Sequence, residues 1–257
     1  MTRTFIHQDL TGGRWIPPWL RHQQASRYSW VKAFTKNKRV LEVGCGGGSG
    51  CHEILAAGAT EVTGVDVDVK AVQFARQNFN SPQLKFDVVQ DAGLPVQDAR
   101  FDVVVALETI EHVQDDHSFV KELSRVLRPG GELLLSTPNR LVTNPGTSIN
   151  ARPANPLHVR EYTKRELQDL LNDLFEDVEW YGQTFYWRGL PSALTAIGRC
   201  VPFIAVRCRQ LMRIALSPLD SSDRHRPRPW IEGWEPEVLV VRCRIRDRGS
   251  AGRQDNG

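Results

Sequence analysis

The chain has 257 residues, 40% of them hydrophobic, which is enough for one sizeable α/β core with added segments and excludes a disordered polymer. Its 33 Lys and Arg nearly balance its 30 Asp and Glu, so the formal net charge of +3 gives no global field that demands nucleic acid. Five cysteines form neither a CxxC metal pair nor an even-numbered disulfide framework, which favours a reducing cytoplasm.

The first residues show neither the apolar run nor the cleavage site of a signal peptide, and residues 1–37 form a lead-in with a helix from about Gln24 to Phe34. Arginines interrupt the longest apolar stretch of the C-terminal half, so a membrane-spanning helix is not expected.

Short β-branched and apolar runs then alternate with helical patterns. The predicted strands are 39–43, 61–66, 84–89, 101–107 and 131–137, and helices are predicted near 50–57, 69–79 and 116–127. Strands separated by helices predict a doubly wound parallel sheet that binds its ligand at the carboxyl ends of the strands.

The second half is less regular. A capping-box pattern at Thr163 begins a helix over 163–174, and strands are predicted near 177–181 and over 237–245, the latter as a final edge strand. Residues 185–230 are interpreted as a helical insertion or lid and 248–257 as a disordered tail. We therefore predict a single Rossmann-like α/β domain over 1–247. Its sheet is seven-stranded and mostly parallel, with an antiparallel final strand.

A glycine-rich turn directly follows the first strand. The segment Glu42-Val43-Gly44-Cys45-Gly46-Gly47-Gly48 matches E/D-x-G-x-G-x-G, and glycine lets the backbone turn sharply and approach a ligand. The dinucleotide pattern G-x-G-x-x-G is not satisfied from either Gly44 or Gly46, which makes a nicotinamide cofactor the weaker interpretation.

Two acidic residues follow the next strands. Asp66 ends the second strand, where a carboxylate can accept hydrogen bonds from ribose hydroxyls, and Asp91 follows the third, where it can accept from an adenine amino group. Three loops are thus expected to converge on one adenosine.

With these motifs in this order, the sequence resembles the class I S-adenosylmethionine (SAM)-dependent methyltransferases from about Arg39 to Tyr181. The resemblance implies SAM as the cofactor and methyl transfer as the reaction. It implies cofactor-binding roles for Glu42, Gly44, Gly46, Asp66, Asp91, Ala92 and Leu107. It also suggests that Arg27, in the lead-in, reaches the methionine carboxylate of SAM. The alternative for Arg27 is a solvated charge on a helix.

A polar cluster directly follows the fourth strand. The i, i+3, i+4 spacing of Glu108, Glu111 and His112 predicts that all three lie on one face of a helical turn, suited to a general base or a cation. The segment resembles the E-x-x-E-H motif of the ubiquinone-biosynthesis O-methyltransferases and the small-RNA 2′-O-methyltransferases. That resemblance implies a divalent ion such as Mg²⁺, held by Glu108, Glu111, His112 and a later histidine, here His158.

A metal-free alternative remains open, in which Glu111 and His112 orient the substrate or act as the base. His158 is equally consistent with a loop residue bound to backbone, and His117 is interpreted as a surface residue at a helix start.

The acceptor is predicted to be a small molecule that carries a hydroxyl group. An RNA 2′-O-methyltransferase, which needs a basic path and stacking aromatics, is the less favoured alternative, together with N- or C-methylation of a small molecule. Aromatic, aliphatic and arginine residues over 185–215 fit a pocket roof, a membrane-surface contact or a homodimer interface, as well as a plain packing elaboration. A SAM-binding regulator without activity is disfavoured because it leaves the cluster at 108–112 without a role.

Overall fold

The computed structural model describes residues 18–89, 93–187 and 225–246. Its strands are β1 (Arg39–Val43), β2 (Glu61–Asp66), β3 (Leu84–Val88), β4 (Phe101–Leu107), β5 (Leu127–Pro138), β6 (Phe175–Trp187), β7 (Arg228–Pro229) and β8 (Trp234–Ile245). Its α-helices are α1 (Pro18–Thr35), α2 (Ser49–Ala56), α3 (Val69–Asn78), α4 (Asp116–Val126), α5 (Arg140–Thr143) and α6 (Lys164–Leu171), and a single 3-10 turn covers Ile110–His112.

The strands form one mixed sheet in the order β3-β2-β1-β4-β5-β8-β6-β7. Strands β1 to β5 pair in parallel, whereas β8 runs antiparallel between β5 and β6. The predicted Rossmann-like α/β fold with a mostly parallel sheet and an antiparallel final strand is therefore confirmed, and the structure shows that β6 and β7 also pair antiparallel with their neighbours. It places the loops after β1, β2, β3 and β4 at one edge of the sheet.

Two details of the predicted sheet are wrong. The described residues form eight strands rather than seven, because a two-residue strand, β7, pairs with β6 at the edge. Strand β8 is internal rather than an edge strand, and eight of its twelve residues are buried. This burial follows from neighbours on both sides, a feature that the alternation of its sequence does not reveal.

Helices cover both faces of the sheet. One core packs α1, α2 and α3 around residues such as Val40, Val62 and Val103, and the other packs α4 and α6 around residues such as Leu41, Val104 and Leu133. Every residue of β4 is buried, as expected for a central parallel strand covered on both faces. The buried strand β4 therefore fixes the position of the polar residues that follow its carboxyl end.

Several element bounds differ from the predictions. Helix α1 begins at Pro18 rather than near Gln24, and β5 begins at Leu127, directly after α4. The capping box at Thr163 is confirmed by reciprocal hydrogen bonds with Glu166. Strand β6 continues to Trp187, so the first residues of the segment interpreted as an insertion belong to the sheet.

Residues 188–224 of that insertion and the tail lie outside the described residues and stay predictions, whereas residues 225–230 are described and contain β7 rather than a helix. No helix in the described ranges is both long enough and apolar enough to cross a membrane. The described cysteines Cys45, Cys51 and Cys243 are buried free thiols.

Candidate active site

The glycine turn between β1 and α2 requires glycine by conformation and by space. Gly44, Gly46 and Gly48 all have positive φ angles, in the left-handed region that side chains disfavour. A Cβ atom at Gly44 would lie only 2.6 Å from Oγ1 of Thr109, which follows β4. The turn after β1 therefore lies directly against the segment after β4. A cofactor bound at the glycine turn would lie close to the polar residues that follow β4.

Glu42 lies under this turn and is 2% exposed. Tyr28 donates a hydrogen bond to its Oε1 at 2.5 Å, and the Cys51 thiol donates to its Oε2 at 2.9 Å. Burial raises the pKa of Glu42 to about 7, despite the opposing effect of these two hydrogen bonds. The described contacts of Glu42 thus link α1, β1 and α2 beneath the turn.

Asp66 ends β2 beside the same turn and is 3% exposed. Its Oδ2 accepts a hydrogen bond from the Gly46 backbone N–H at 2.7 Å, and its Oδ1 accepts from that of Asp68 at 2.8 Å. These contacts fix the carboxylate at the carboxyl end of β2, where the sequence predicts ribose binding. Leu107 is buried at the end of β4. Asp91 and Ala92 lie outside the described residues.

Arg27 on α1 is 3% exposed, so its interpretation as a solvated helix charge is wrong. Its Nη1 donates to Oε1 of Gln183 on β6 at 2.8 Å. The positive charge of Arg27 is close enough to Glu111 to lower the pKa of that carboxyl group, although other effects dominate there. Arg27 therefore lies on the active-site side of α1.

Glu111 is 1% exposed and belongs to the 3-10 turn after β4. Burial raises its pKa well above the usual range, and the negative charge of Glu108 adds to this effect. The Thr137 hydroxyl at the end of β5 donates to its Oε2 at 3.0 Å. The Glu111 backbone carbonyl accepts from the N–H groups of Val159 and Arg160, which fixes the loop that carries His158.

His112 and His158 meet edge to face with ring centroids 4.9 Å apart. Nδ1 of His112 lies 3.0 Å from the Leu157 carbonyl oxygen. A carbonyl oxygen can only accept, so this contact assigns the proton to Nδ1 and leaves Nε2 as the basic nitrogen. That Nε2 lies 3.9 Å from Oε1 of Glu111.

The hydrogen bonds of His158 assign the same tautomer. Its Nδ1 lies 2.6 Å from Oε1 of Glu161. Its Nε2 faces the Asn155 side-chain amide nitrogen at 2.8 Å, and that amide is oriented by its own oxygen, which accepts from the Leu157 N–H. The lone pair of His158 is thus on Nε2 as well.

Glu161 was missed by the sequence reasoning, although it lies three residues after His158. It is 2% exposed and accepts from His158, Thr143 and Asn144. Burial would raise its pKa, but the hydrogen bonds from His158 and Thr143 lower it below the usual value on balance. Gln183 and Thr137 were also missed, because neither belongs to a local motif.

The structure brings together Glu111, His112 and His158, with one candidate ligand atom from each lying within 4.8 Å of the others. Glu108 lies outside this group. The helical turn is shorter than the spacing suggested, and Glu108 precedes it with φ of +49° and accepts from the Ser136 hydroxyl at 2.8 Å. His117 has an 81% exposed side chain at the start of α4, as expected for a surface residue.

This donor set does not fit Mg²⁺, which takes mainly oxygen ligands. Two imidazole nitrogens and one carboxylate suit a transition ion such as Zn²⁺, which can polarise a bound hydroxyl. The contacts of His112 with Leu157 and of His158 with Glu161 are of the kind that orient metal-ligating histidines.

Comparisons with known proteins agree with this geometry. A family model described as "Methyltransferase domain" matches residues 41–135. A "probable S-adenosylmethionine-dependent methyltransferase" of Mycolicibacterium smegmatis is 38% identical over 187 residues, which cover 70% of each chain. The chain belongs to the SAM-dependent methyltransferases. Its cofactor is therefore SAM as methyl donor.

Two further comparisons are informative about this methyltransferase. A ubiquinone biosynthesis O-methyltransferase of Coxiella burnetii is 35% identical over 130 residues, which cover 50% of this chain and 55% of the relative. The crystal structure of a SAM-dependent methyltransferase from Thermotoga maritima matches with a TM-score of 0.59 and 19% identity, covering 89% of this chain and 93% of that one. At this identity the structural match shows the fold alone.

Proposed function

We propose that this methyltransferase methylates a hydroxyl group of a small-molecule acceptor. The observation that carries the proposal is the basic Nε2 of His112, held beside buried Glu111 at the carboxyl end of β4. Because Thr109 packs on Gly44, the segment that carries this base lies against the turn expected to hold SAM. The partial match to an O-methyltransferase supports oxygen as the acceptor atom.

In the proposed reaction, the acceptor oxygen attacks the methyl carbon of SAM in line with the carbon–sulfur bond. The O–CH₃ bond forms as the C–S bond breaks, and the products are a methyl ether and S-adenosylhomocysteine. His112 Nε2 takes the hydroxyl proton, and Glu111, whose Oε1 is 3.9 Å away, lies beside the resulting imidazolium. The protein otherwise contributes alignment of the reacting atoms.

The proposed SAM contacts follow the three loops. Asp66 would hold the ribose hydroxyls, and Asp91 with Ala92 would contact the adenine. Arg27 would pair with the methionine carboxylate, since a buried guanidinium is costly without a negative partner. Glu42 would support the glycine turn. Gly44 and Gly46 would let the backbone approach SAM closely, and Leu107 would pack against it.

Metal assistance is a separate question that a chelator answers. A divalent ion, if required, would be held by Glu111, His112 and His158 and would act on the acceptor oxygen. Activity that survives exhaustive chelation would leave His112 as the base without an ion. Activity lost to chelator and restored by Zn²⁺ or Mn²⁺ but not by Mg²⁺ would match the nitrogen-rich donor set.

The test of the function is direct. Purified protein is incubated with methyl-labelled SAM and a metabolite extract, with and without chelator, and the labelled products are identified by mass spectrometry. A labelled methyl ether of a small molecule is expected. Label found only on nitrogen, on carbon or in RNA would refute the proposal while leaving the family assignment intact.

Variants then test the assigned roles. His112→Ala is expected to lower kcat about 10²- to 10⁴-fold, the usual contribution of a general base, with SAM affinity within about twofold of wild type. Glu111→Gln keeps the size of the side chain and should also lower kcat. His117→Ala is the matched control, because that imidazole is exposed on α4 and should leave kcat unchanged.

A further inference from the structure

Arg27 is a buried cation that forms no ion pair within the described residues, although its charge acts on the carboxyl group of Glu111. Its one hydrogen bond within the described ranges goes to the neutral amide of Gln183, and no ion pair with a described carboxylate is formed. Burying an isolated charge is strongly unfavourable unless a counter-charge is supplied. The site therefore favours an anionic group next to Arg27, as the proposed function supplies through the methionine carboxylate.

Gln183 presents its oxygen to Arg27 in a fixed orientation. It is fully buried, and its Nε2 donates to the backbone carbonyl oxygens of Gln23, at 2.8 Å, and of His225. Since carbonyl oxygens only accept, the amide nitrogen must face them, and Oε1 must face the Arg27 guanidinium. A flip of the amide would break all three hydrogen bonds at once.

These contacts join three parts of the chain at one point. Gln23 and Arg27 are four residues apart on α1, so they lie on the same face of that helix. Gln183 belongs to β6, which pairs with β8, and His225 lies on the segment leading to β7. The arginine side chain has several rotatable bonds, but its guanidinium is held in one position by Gln183. The Gln183 amide is itself fixed by two hydrogen bonds to backbone carbonyl oxygens.

We propose that Gln183 is a positioning residue for SAM binding, which acts by holding the Arg27 guanidinium against the methionine carboxylate. The inference rests on the proposed role of Arg27. Gln183 itself contacts neither the cofactor nor the acceptor in this scheme, so its loss should weaken only the part of the affinity that depends on the carboxylate. That restriction separates positioning from a general contribution to folding.

Calorimetry with two ligands provides the test. SAM carries the carboxylate, whereas 5′-methylthioadenosine has the adenosine and sulfur but lacks the amino-acid group. Gln183→Met removes the hydrogen bonds with little change of volume and should weaken SAM binding about tenfold, the effect of losing a hydrogen bond to a charged group. Binding of 5′-methylthioadenosine should stay within about twofold of wild type.

Three further variants complete the design. Gln183→Glu keeps an oxygen acceptor and gives Arg27 a carboxylate partner within the protein. It should therefore also weaken the binding of SAM but not that of 5′-methylthioadenosine. This variant replaces Gln183→Met in the test if Gln183→Met does not fold. In Arg27→Ala, adding Gln183→Met should cause no further loss, because both act through one guanidinium. Gln168→Met is the matched control, since that glutamine bonds Trp180 elsewhere.

The outcomes separate this inference from the proposed function. Equal weakening of both ligands, or of neither, in the Gln183 variants would overturn the positioning role. If Arg27→Ala weakens SAM but the Gln183 variants do not, Arg27 keeps its role and only the present proposal fails. If Arg27→Ala leaves SAM affinity unchanged, the assignment of Arg27 to the carboxylate is itself wrong.

Discussion

The buried carboxyl group of Glu42 makes stability depend on pH in a predictable direction. Its pKa rises from the usual 4.5 to about 7, primarily because of burial. Between these values the folded protein keeps a proton that the unfolded chain has released, so stability falls as pH rises through this window. At about 1.4 kcal/mol per tenfold change in proton affinity, the loss amounts to about 3 kcal/mol, most of it between pH 5 and pH 8.

Glu42→Gln isolates this effect. The amide keeps an oxygen for the Tyr28 hydroxyl and presents its NH₂ group to the Cys51 sulfur, a weak acceptor, but it does not titrate. Other groups with raised pKa values, such as Glu111, affect both proteins alike and cancel in the difference. The variant should therefore gain about 2 to 3 kcal/mol relative to wild type on going from pH 5 to pH 8.

The assay is urea unfolding of both proteins at several pH values, followed by fluorescence and circular dichroism, whose transitions must coincide for a two-state treatment. A difference in unfolding free energy that stays constant from pH 5 to pH 8 would refute the reasoning. It would mean that Glu42 is already ionised in the folded protein at pH 5.

Three further predictions concern single substitutions. Gly44→Ala should abolish measurable SAM binding in calorimetry because of its steric overlap, whereas Gly146→Ala, with a similar φ but open space, should bind normally and lose only about 1 kcal/mol of stability in urea unfolding. Glu161→Gln should lower kcat at least tenfold with SAM affinity unchanged, because it weakens the orientation of His158; unchanged turnover would exclude that role. Thr163→Ala should cost about 1 kcal/mol in urea unfolding by removing the helix cap, and no measurable cost would count against the capping box.

The parallel half of the sheet was predictable because its signals are local. Runs such as 39–43 and 101–107 are mainly apolar and β-branched, as buried parallel strands are, and glycine at 44, 46 and 48 indicates positive φ angles within the turn itself. The order of the motifs was then enough to identify the family. The antiparallel half was predicted less well, because the neighbours of β8 come from distant parts of the chain.

The candidate site was likewise predicted where its contacts are local in sequence and missed where they join distant segments. The i, i+3, i+4 spacing placed Glu108, Glu111 and His112 together, but the turn that forms is too short to include Glu108, which turns to Ser136 instead. No window of sequence shows that Ser136 lies there, because the contact depends on the pairing of β4 with β5.

The sequence by itself determined the parallel strands, the glycine turn and the polar residues after β4, since each depends on residues within a few positions of one another. Only the tertiary structure decided which side chains are buried together. Gln183 reaches Arg27 across 156 positions, and Glu161 and His158 join Glu111 only after a loop folds back on β4. The physical reason is that side-chain burial and hydrogen-bond partners are set by the packing of distant segments, which local pattern does not encode.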